Sequence, residues 1–306
     1  MVELISQQVE TCLPIQQTVQ NWQWRGFQIK FTVAGVGQPL ILVHGFGASI
    51  AHWRKNIPEL AQHYQVFALD LLGFGQSEKP PVDYSLELWD SLLQDFWRVH
   101  VQRPAVWVGN SIGALLSLMV ICHRPEMALG GVVLNLAGGL NHRPEELNLP
   151  LRLVMGAFAK LMATPVIGTF LFNRIRQPNQ IRRTLQQVYG NPAAITDDLV
   201  MALYEPSCDR GARQVMSSIL QAPAGPRVEE LLPNLRRPLL VIWGATDPWT
   251  PISTGAIFQD LVDHPLHPEG AVEFVAIPET GHCPHDERPE VVNPLIVQWV
   301  KTLEVV

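Results

Sequence analysis

The stretch that most constrains this chain is Val106-Trp107-Val108-Gly109-Asn110-Ser111-Ile112-Gly113-Ala114. Three apolar residues run into Gly-x-Ser-x-Gly, and Ala114-Leu115-Leu116-Ser117-Leu118-Met119-Val120 follows as a helix-compatible run. The pattern predicts a strand, a sharp turn and a helix, with the Ser111 hydroxyl held out from the tip. Flanking residues crowd each other at such a turn, so Gly109 and Gly113 remove side chains that would clash. The pentapeptide occurs once in the chain, directly between a strand pattern and a helix pattern. That context separates it from an ordinary turn serine.

Short apolar runs recur on either side of this turn. Leu40-Ile41-Leu42-Val43, Val66-Phe67-Ala68-Leu69, Ala105-Val106-Trp107-Val108, Gly131-Val132-Val133-Leu134, Leu239-Leu240-Val241-Ile242 and Val272-Glu273-Phe274-Val275 read as strands of a sheet buried on both faces. Trp22 to Val33 alternates like an antiparallel hairpin, with Arg25-Gly26 as the turn. Helix-period segments lie between the runs. Ser85 is placed to cap one that extends towards His100, with Leu88, Leu92, Phe96 and Val99 on one face. Pro289 suits the first turn of a last helix through Trp299. Strands alternating with helices imply an α/β architecture, a mostly parallel sheet covered by helices on both faces.

One region interrupts the alternation. From residue 138 to 226 helical segments dominate and no strand pattern stands out. The chain therefore divides into a first part of the core (1–137), an inserted helical cap (138–226) and a second part of the core (227–306). Such an insertion falls over the carboxyl edge of the sheet, where open α/β sheets bind ligands.

A serine nucleophile needs a base, and the base needs a carboxylate to orient it. Asp247 stands just beyond the strand ending at Ile242, and His282 just beyond the strand ending near Ile277. Both fall on loops at strand ends, as Ser111 does. His44-Gly45-Phe46-Gly47 follows the strand at Val43. Its glycines let the backbone turn inward, and the N–H groups of Phe46 and Ile112 are the expected oxyanion donors, each donor of this kind contributing about 3–4 kcal/mol in the transition state. His44 is read as a brace for that loop. Asp70-Leu71-Leu72-Gly73-Phe74-Gly75-Gln76-Ser77 is read as a structural turn. The string His282-Cys283-Pro284-His285 suggests metal ligands, yet only His264 and His267 form another histidine cluster, so no metal and no organic cofactor is expected.

Composition narrows the compartments and partners. The chain has 306 residues, 47% hydrophobic and 16% charged, which allows a large core. A net charge of −6 gives no reason to expect nucleic-acid binding. Cys12, Cys122, Cys208 and Cys283 are scattered and read as reduced thiols in a cytosol-like compartment. Residues 1–20 are polar and lack the pattern of a signal peptide. The apolar region from Leu149 to Phe172 is broken by Arg152, Lys160 and Pro165, and reads as a poor transmembrane span.

The serine turn, the His-Gly-Phe-Gly loop and the order serine, acid, histidine resemble the α/β-hydrolase superfamily. Longer stretches are similar to a narrower group, the chlorophyll dephytylase and pheophytinase-like hydrolases of photosynthetic organisms. They are His44 to Ser49 with His52-Trp53-Arg54 and Asn56-Ile57-Pro58, then Leu69 to Gly75, then Gly281 to Glu287 with Pro289-Glu290 and Val292-Asn293. The resemblance covers about residues 24–299 and is weakest in the cap. Ile112 and Ala114 depart from the Gly-Asn-Ser-Leu-Gly-Gly usual in that group. Some relatives carry the acid one strand earlier; here that place is Asn135-Leu136-Ala137, which has no carboxylate and so favours Asp247.

The resemblance implies a serine carboxylic-ester hydrolase that releases phytol from chlorophyll, pheophytin or a related tetrapyrrole, working in the cytoplasm or a stroma-like space with peripheral contact to a thylakoid membrane. A lipase, a thioesterase and a carbon–carbon bond hydrolase fit the same residues, as does a non-catalytic receptor on the same fold. Within the cap, Leu151, Met155, Phe158 and Met162 are the candidate lining of a lipophilic path. The same residues suit a cap that packs only its own helices, and the two readings are compatible.

Overall fold

The computed structural model describes residues 18–141, 143, 148–262 and 272–303. Its centre is an eight-stranded sheet in the order β1-β2-β4-β3-β5-β6-β7-β8. The strands are β1 (Val19–Trp24), β2 (Phe27–Ala34), β3 (Pro39–Val43), β4 (Gln65–Leu69), β5 (Ala105–Asn110), β6 (Ala128–Leu134), β7 (Leu239–Gly244) and β8 (Val272–Ile277). β1 and β2 form the expected hairpin, and β2 joins β4 antiparallel; every later pairing is parallel. Arg25 and Gly26 both take positive φ, 50° and 85°. That is the turn whose twist matches its flanking strands.

The apolar runs are explained by two cores, one on each face. Along β3, Ile41 and Val43 enter one cluster while Leu40 and Leu42 enter the other. Trp107 and Val108 of β5, and Val241 and Ile242 of β7, divide in the same way. A strand that feeds both faces has no polar alternation to show. Each such side chain contributes about 1.5–3 kcal/mol by leaving water. The first core is covered by α1 (Leu86–Phe96) and α2 (Ile112–His123), the second by α8 (Pro289–Leu303), with Val292, Ile296, Trp299 and Val300 buried.

Two local expectations are corrected. Ser85 does cap α1, accepting from Leu88 N–H at 3.2 Å. The helix then widens into a π-turn over Trp97–Val101, which adds residues per turn and rotates the side chains at its end. Val101 is thereby buried, and Val99, expected on the apolar face, is 52% exposed. β8 has the composition of a central strand but, among the described residues, lies at the sheet edge beside β7, with Glu273 and Ala276 exposed.

Between β6 and β7 the described chain is helical: α3 (Leu149–Ala163), α4 (Pro165–Ile175), α5 (Pro178–Val188), α6 (Asp197–Ser207) and α7 (Ala212–Ile219). These helices pack as two small clusters. Met162, Phe172 and Ala212 centre one, joined by Phe158, Leu171, Ile175 and Met216. Leu185, Val188, Tyr189, Leu199 and Val200 centre the other, which also takes in Cys283 of the core. No single described helix is long and apolar enough to cross a membrane; α3 and α4 pass only as a pair, and they are bent by 108°.

Candidate active site

The turn between β5 and α2 is as tight as its glycines imply. Ser111 has φ 57° and ψ −120°, a conformation that side chains rarely adopt. A Cβ on Gly109 would sit 2.1 Å from Gly113 O, and one on Gly113 would sit 2.2 Å from Val43 O. Strand, helix and the end of β3 therefore meet backbone to backbone. Ser111 N–H donates to Leu134 O at 3.0 Å, and Ser111 O accepts from Ala137 N–H at 3.2 Å, which ties the turn to the end of β6.

Asp247 and His282 meet across the ends of β7 and β8. His282 Nδ1 and Asp247 Oδ2 are 2.6 Å apart, and both side chains are buried. The same Oδ2 accepts from Asn135 Nδ2 at 2.7 Å and Thr250 Oγ1 at 2.5 Å, and Oδ1 accepts from Trp249 N–H at 2.8 Å. Burial pushes the Asp247 carboxyl up. The His282 contact, with Thr250 and Asn135, outweighs it and holds the group below the ordinary carboxylate range. With an ionised acceptor on Nδ1, the imidazole carries its proton there and leaves Nε2 as a base.

Ser111 and His282 line a common space. It divides into two cavities that share Phe46, Ser111, Trp249 and His282. The first lies under α4 to α7 and is largely apolar, with Phe172, Ile175, Leu185, Val188, Val215 and Met216 on its wall. The second runs past Leu136 to Asn141, Trp243, Thr250 and Ile257 and is more polar. Phe46 is 41% exposed at the junction. α2 begins at Ile112, so its N–H lies in the first turn, where helix donors have no partner within the helix. Gly45 keeps this floor open: a Cβ there would stand 3.1 Å from Ser111 Cβ.

The lining expected from the cap is corrected. Phe158 and Met162 pack into the helices' own cluster, and Met155 is not on the wall of either cavity. The side chain of Leu151 lies outside the described residues. The wall comes from α4 to α7 instead.

Neighbouring polar residues are accounted for as braces. Leu71 N–H donates to His44 Nε2 at 3.0 Å, and His44 Nδ1 faces Gly45 O at 2.8 Å. The ring is thus neutral, and burial pushes it down to about 4. Asp70 accepts from Ile50 N–H and Gln76 N–H at 2.7 Å each, holding the turn that follows β4. His285 packs against Trp53 with ring centres 4.2 Å apart and the planes tilted by 36°. Among the described residues no group of three or more histidines, cysteines or carboxylates is arranged to hold a metal. His264 and His267 lie outside the described residues.

Two residues at the site were not singled out from the sequence. Asn135, at φ 42°, donates to Asp247 and accepts from Gly244 N–H at 2.9 Å. Thr250 reaches both Asp247 and His282 Nδ1, the latter at 3.3 Å. The signal for Asn135 was its place at a third strand end, beside the Ser111 and Asp247 loops.

A model of the α/β hydrolase fold family matches residues 38–289. The chain belongs to the α/β-hydrolase fold family. This α/β hydrolase is 27% identical to a chloroplastic pheophytinase of Arabidopsis thaliana over 87% of the chain, and spans 61% of that relative's length. It is 29% identical to a 2-hydroxy-6-oxo-6-(2'-aminophenyl)hexa-2,4-dienoic acid hydrolase of Metapseudomonas resinovorans, over 87% of the chain and 84% of the relative. A solved serine hydrolase involved in carbazole degradation superposes with a TM-score of 0.74 at 24% identity, covering 94% of this chain and all of the other. That likeness shows the fold.

The carboxylate's hydrogen bonds generate a test. Asp247→Asn keeps the shape but presents an amide that favours the wrong imidazole tautomer. Its kcat for a nitrophenyl ester is expected to fall by about ten-thousand-fold, read by steady-state kinetics, with circular dichroism unchanged. A variant within tenfold of wild type shows that Asp247 does not orient the base.

Proposed function

We propose that this α/β hydrolase is a serine carboxylic-ester hydrolase whose substrate is a phytyl ester of chlorophyll or a demetallated relative. The observation that carries the reading is the 2.6 Å contact of His282 with a four-donor Asp247 carboxylate, on a cavity shared with the strained Ser111. In this reading His282 Nε2 takes the proton of Ser111 Oγ as it attacks the ester carbonyl. Phe46 and Ile112 N–H groups stabilise the oxyanion. His282 then protonates the departing alcohol, and water, deprotonated by the same imidazole, releases the acid.

Support for the alcohol comes from the two cavities. A C20 isoprenoid needs an apolar wall, and the cavity under α4 to α7 supplies one beside Ser111. The second, more polar cavity is left for the acyl side. The similarity to a pheophytinase supports the same substrate class. A second reading, cleavage of a carbon–carbon bond in a dienoate, is favoured by the equally similar dienoic acid hydrolase. The residues 138–226 act as a cap in either case.

Such an ester sits in a bilayer, and an apolar site then serves to lower the cost of leaving it. Leu153, Val154, Val166 and Phe170 of α3 and α4 are each more than 60% exposed. No acidic residue occurs from 148 to 196, where Arg152, Lys160, Arg174, Arg176, Arg182 and Arg183 stand, although the whole chain carries −6. An apolar face on helices that also carry Arg152, Lys160 and Arg174 suits the surface of an anionic bilayer. Peripheral contact with a photosynthetic membrane follows from this reading.

Substrate choice is tested by incubating the protein with chlorophyll, pheophytin, a dienoate and simple acyl esters, then separating products by chromatography. Phytol release is expected; dienoate cleavage without phytol release selects the second reading. Ile175→Glu and Met216→Glu place a charge on the apolar wall. Phytyl-ester turnover should fall at least about a hundredfold, while a short nitrophenyl ester loses little. Equal losses on both substrates remove the assignment of this cavity to the alcohol.

Membrane contact is tested by flotation with anionic vesicles. Wild type should float and Val166→Asp with Phe170→Asp should not. Equal recovery of both proteins excludes this face.

A further inference from the structure

His282 is held by more than Asp247. Its backbone N–H donates to Val188 O at the end of α5, at 3.0 Å, and its carbonyl accepts from Asn110 Nδ2 at 2.9 Å. The residues on either side are both tied to one buried carboxylate. Gly281 N–H donates to Glu287 Oε2 at 3.1 Å and Cys283 N–H to Glu287 Oε1 at 3.2 Å. The same Oε2 accepts from Gly190 N–H at 2.7 Å and Asn191 N–H at 3.0 Å, in the turn that follows α5. Glu287 is 4% exposed and lines neither cavity.

The two segments it joins are also in backbone contact. A Cβ on Gly281 would meet Val188 O at 2.1 Å and Gly190 N at 2.6 Å. A second bond runs alongside: Tyr189 Oη donates to Asp286 Oδ2 at 3.0 Å and accepts from His52 Nε2 at 2.9 Å. Arg54 and Lys55 pair with the other oxygen of Asp286, at 2.9 and 3.1 Å. α5 and α6 share their cluster with Cys283, whereas α3, α4 and α7 do not.

We propose that Glu287 is a positioning residue which locks the His282 loop to the turn after α5, so that this part of the insertion and the base form one rigid unit. The inference rests on the reading of His282 as the general base. Four N–H donors converge on a carboxylate that touches no substrate, and three of those four belong to residues within two positions of His282 or Val188. Without the carboxylate, donors on both sides lose their acceptor together, and those of Gly281 and Cys283 are left buried without one. The loop carrying His282 then loses its register against Ser111, and a misplacement of about 1 Å can cost about a hundredfold in rate.

Glu287→Gln tests this without changing shape, since one oxygen becomes a donor facing N–H groups. The variant is titrated with a fluorophosphonate to count competent sites, and kcat and KM for a nitrophenyl ester are measured per titrated site. The expected result is a kcat at least tenfold lower with KM within twofold of wild type. A residue that only held the fold together would lower the number of titratable sites and leave kcat per site unchanged. That result overturns the inference, as does a rise in KM at constant kcat. If Glu287→Gln does not fold, Gly190→Ala provides the same readout. Its Cβ would press on Gly281 N at 2.9 Å from the other side and leave Glu287 in place. Ser111→Ala is run in parallel. Activity surviving there overturns the reading of the site and this inference with it; activity lost there, with Glu287→Gln unaffected, overturns the inference alone.

Discussion

Backbone crowding at one turn governs the arrangement. Gly109 and Gly113 let β5, α2 and the end of β3 approach within distances that no Cβ allows. That approach holds Ser111 at φ 57°. It also sets Ile112 in the first turn of α2 and brings the Gly45 loop close to the serine. The two cores on either face then hold this turn rigid, because the helix that leaves it is buried from Ile112 to Cys122. Strain at the serine persists because the surrounding packing over-determines it.

Much of this was legible in the sequence, for a physical reason. A strand buried on both faces has no choice but an unbroken apolar run, so β3 to β7 could be placed closely. Ser111 and Asp247 each follow such a run and His282 follows β8, and the structure brings Asp247 and His282 into contact and sets Ser111 on the same cavity. β8 misled because apolar composition does not report the number of neighbouring strands, and only Val272 and Ile277 of this edge strand are buried. Val99 misled because a π-turn changes the period on which the helix face was drawn.

The helical insertion was legible only as helical. Periodicity shows that α3 has an apolar face, but not whether that face meets the serine or a sister helix; Phe158 and Met162 meet the sister helices. The wall of the cavity falls instead on α4 to α7. The roles of Asn135 and Glu287 were not legible for a related reason. Each acts through hydrogen bonds between segments more than ninety residues apart, to Asp247 and to Gly190 and Asn191. No local pattern encodes such a partner.

A rigid serine turn is therefore joined to a histidine whose side chain is oriented by Asp247 and whose backbone is fixed by Val188 and Asn110. The central claim for such a site is that Ser111 forms a covalent acyl intermediate. The most direct measurement is acid quenching during turnover of an activated ester, with peptide mapping of the quenched protein in a mass spectrometer. The acyl mass is expected on the peptide containing Ser111 and absent from Ser111→Ala. Steady turnover with no acyl adduct on that peptide, or an adduct on another residue, would contradict the claim.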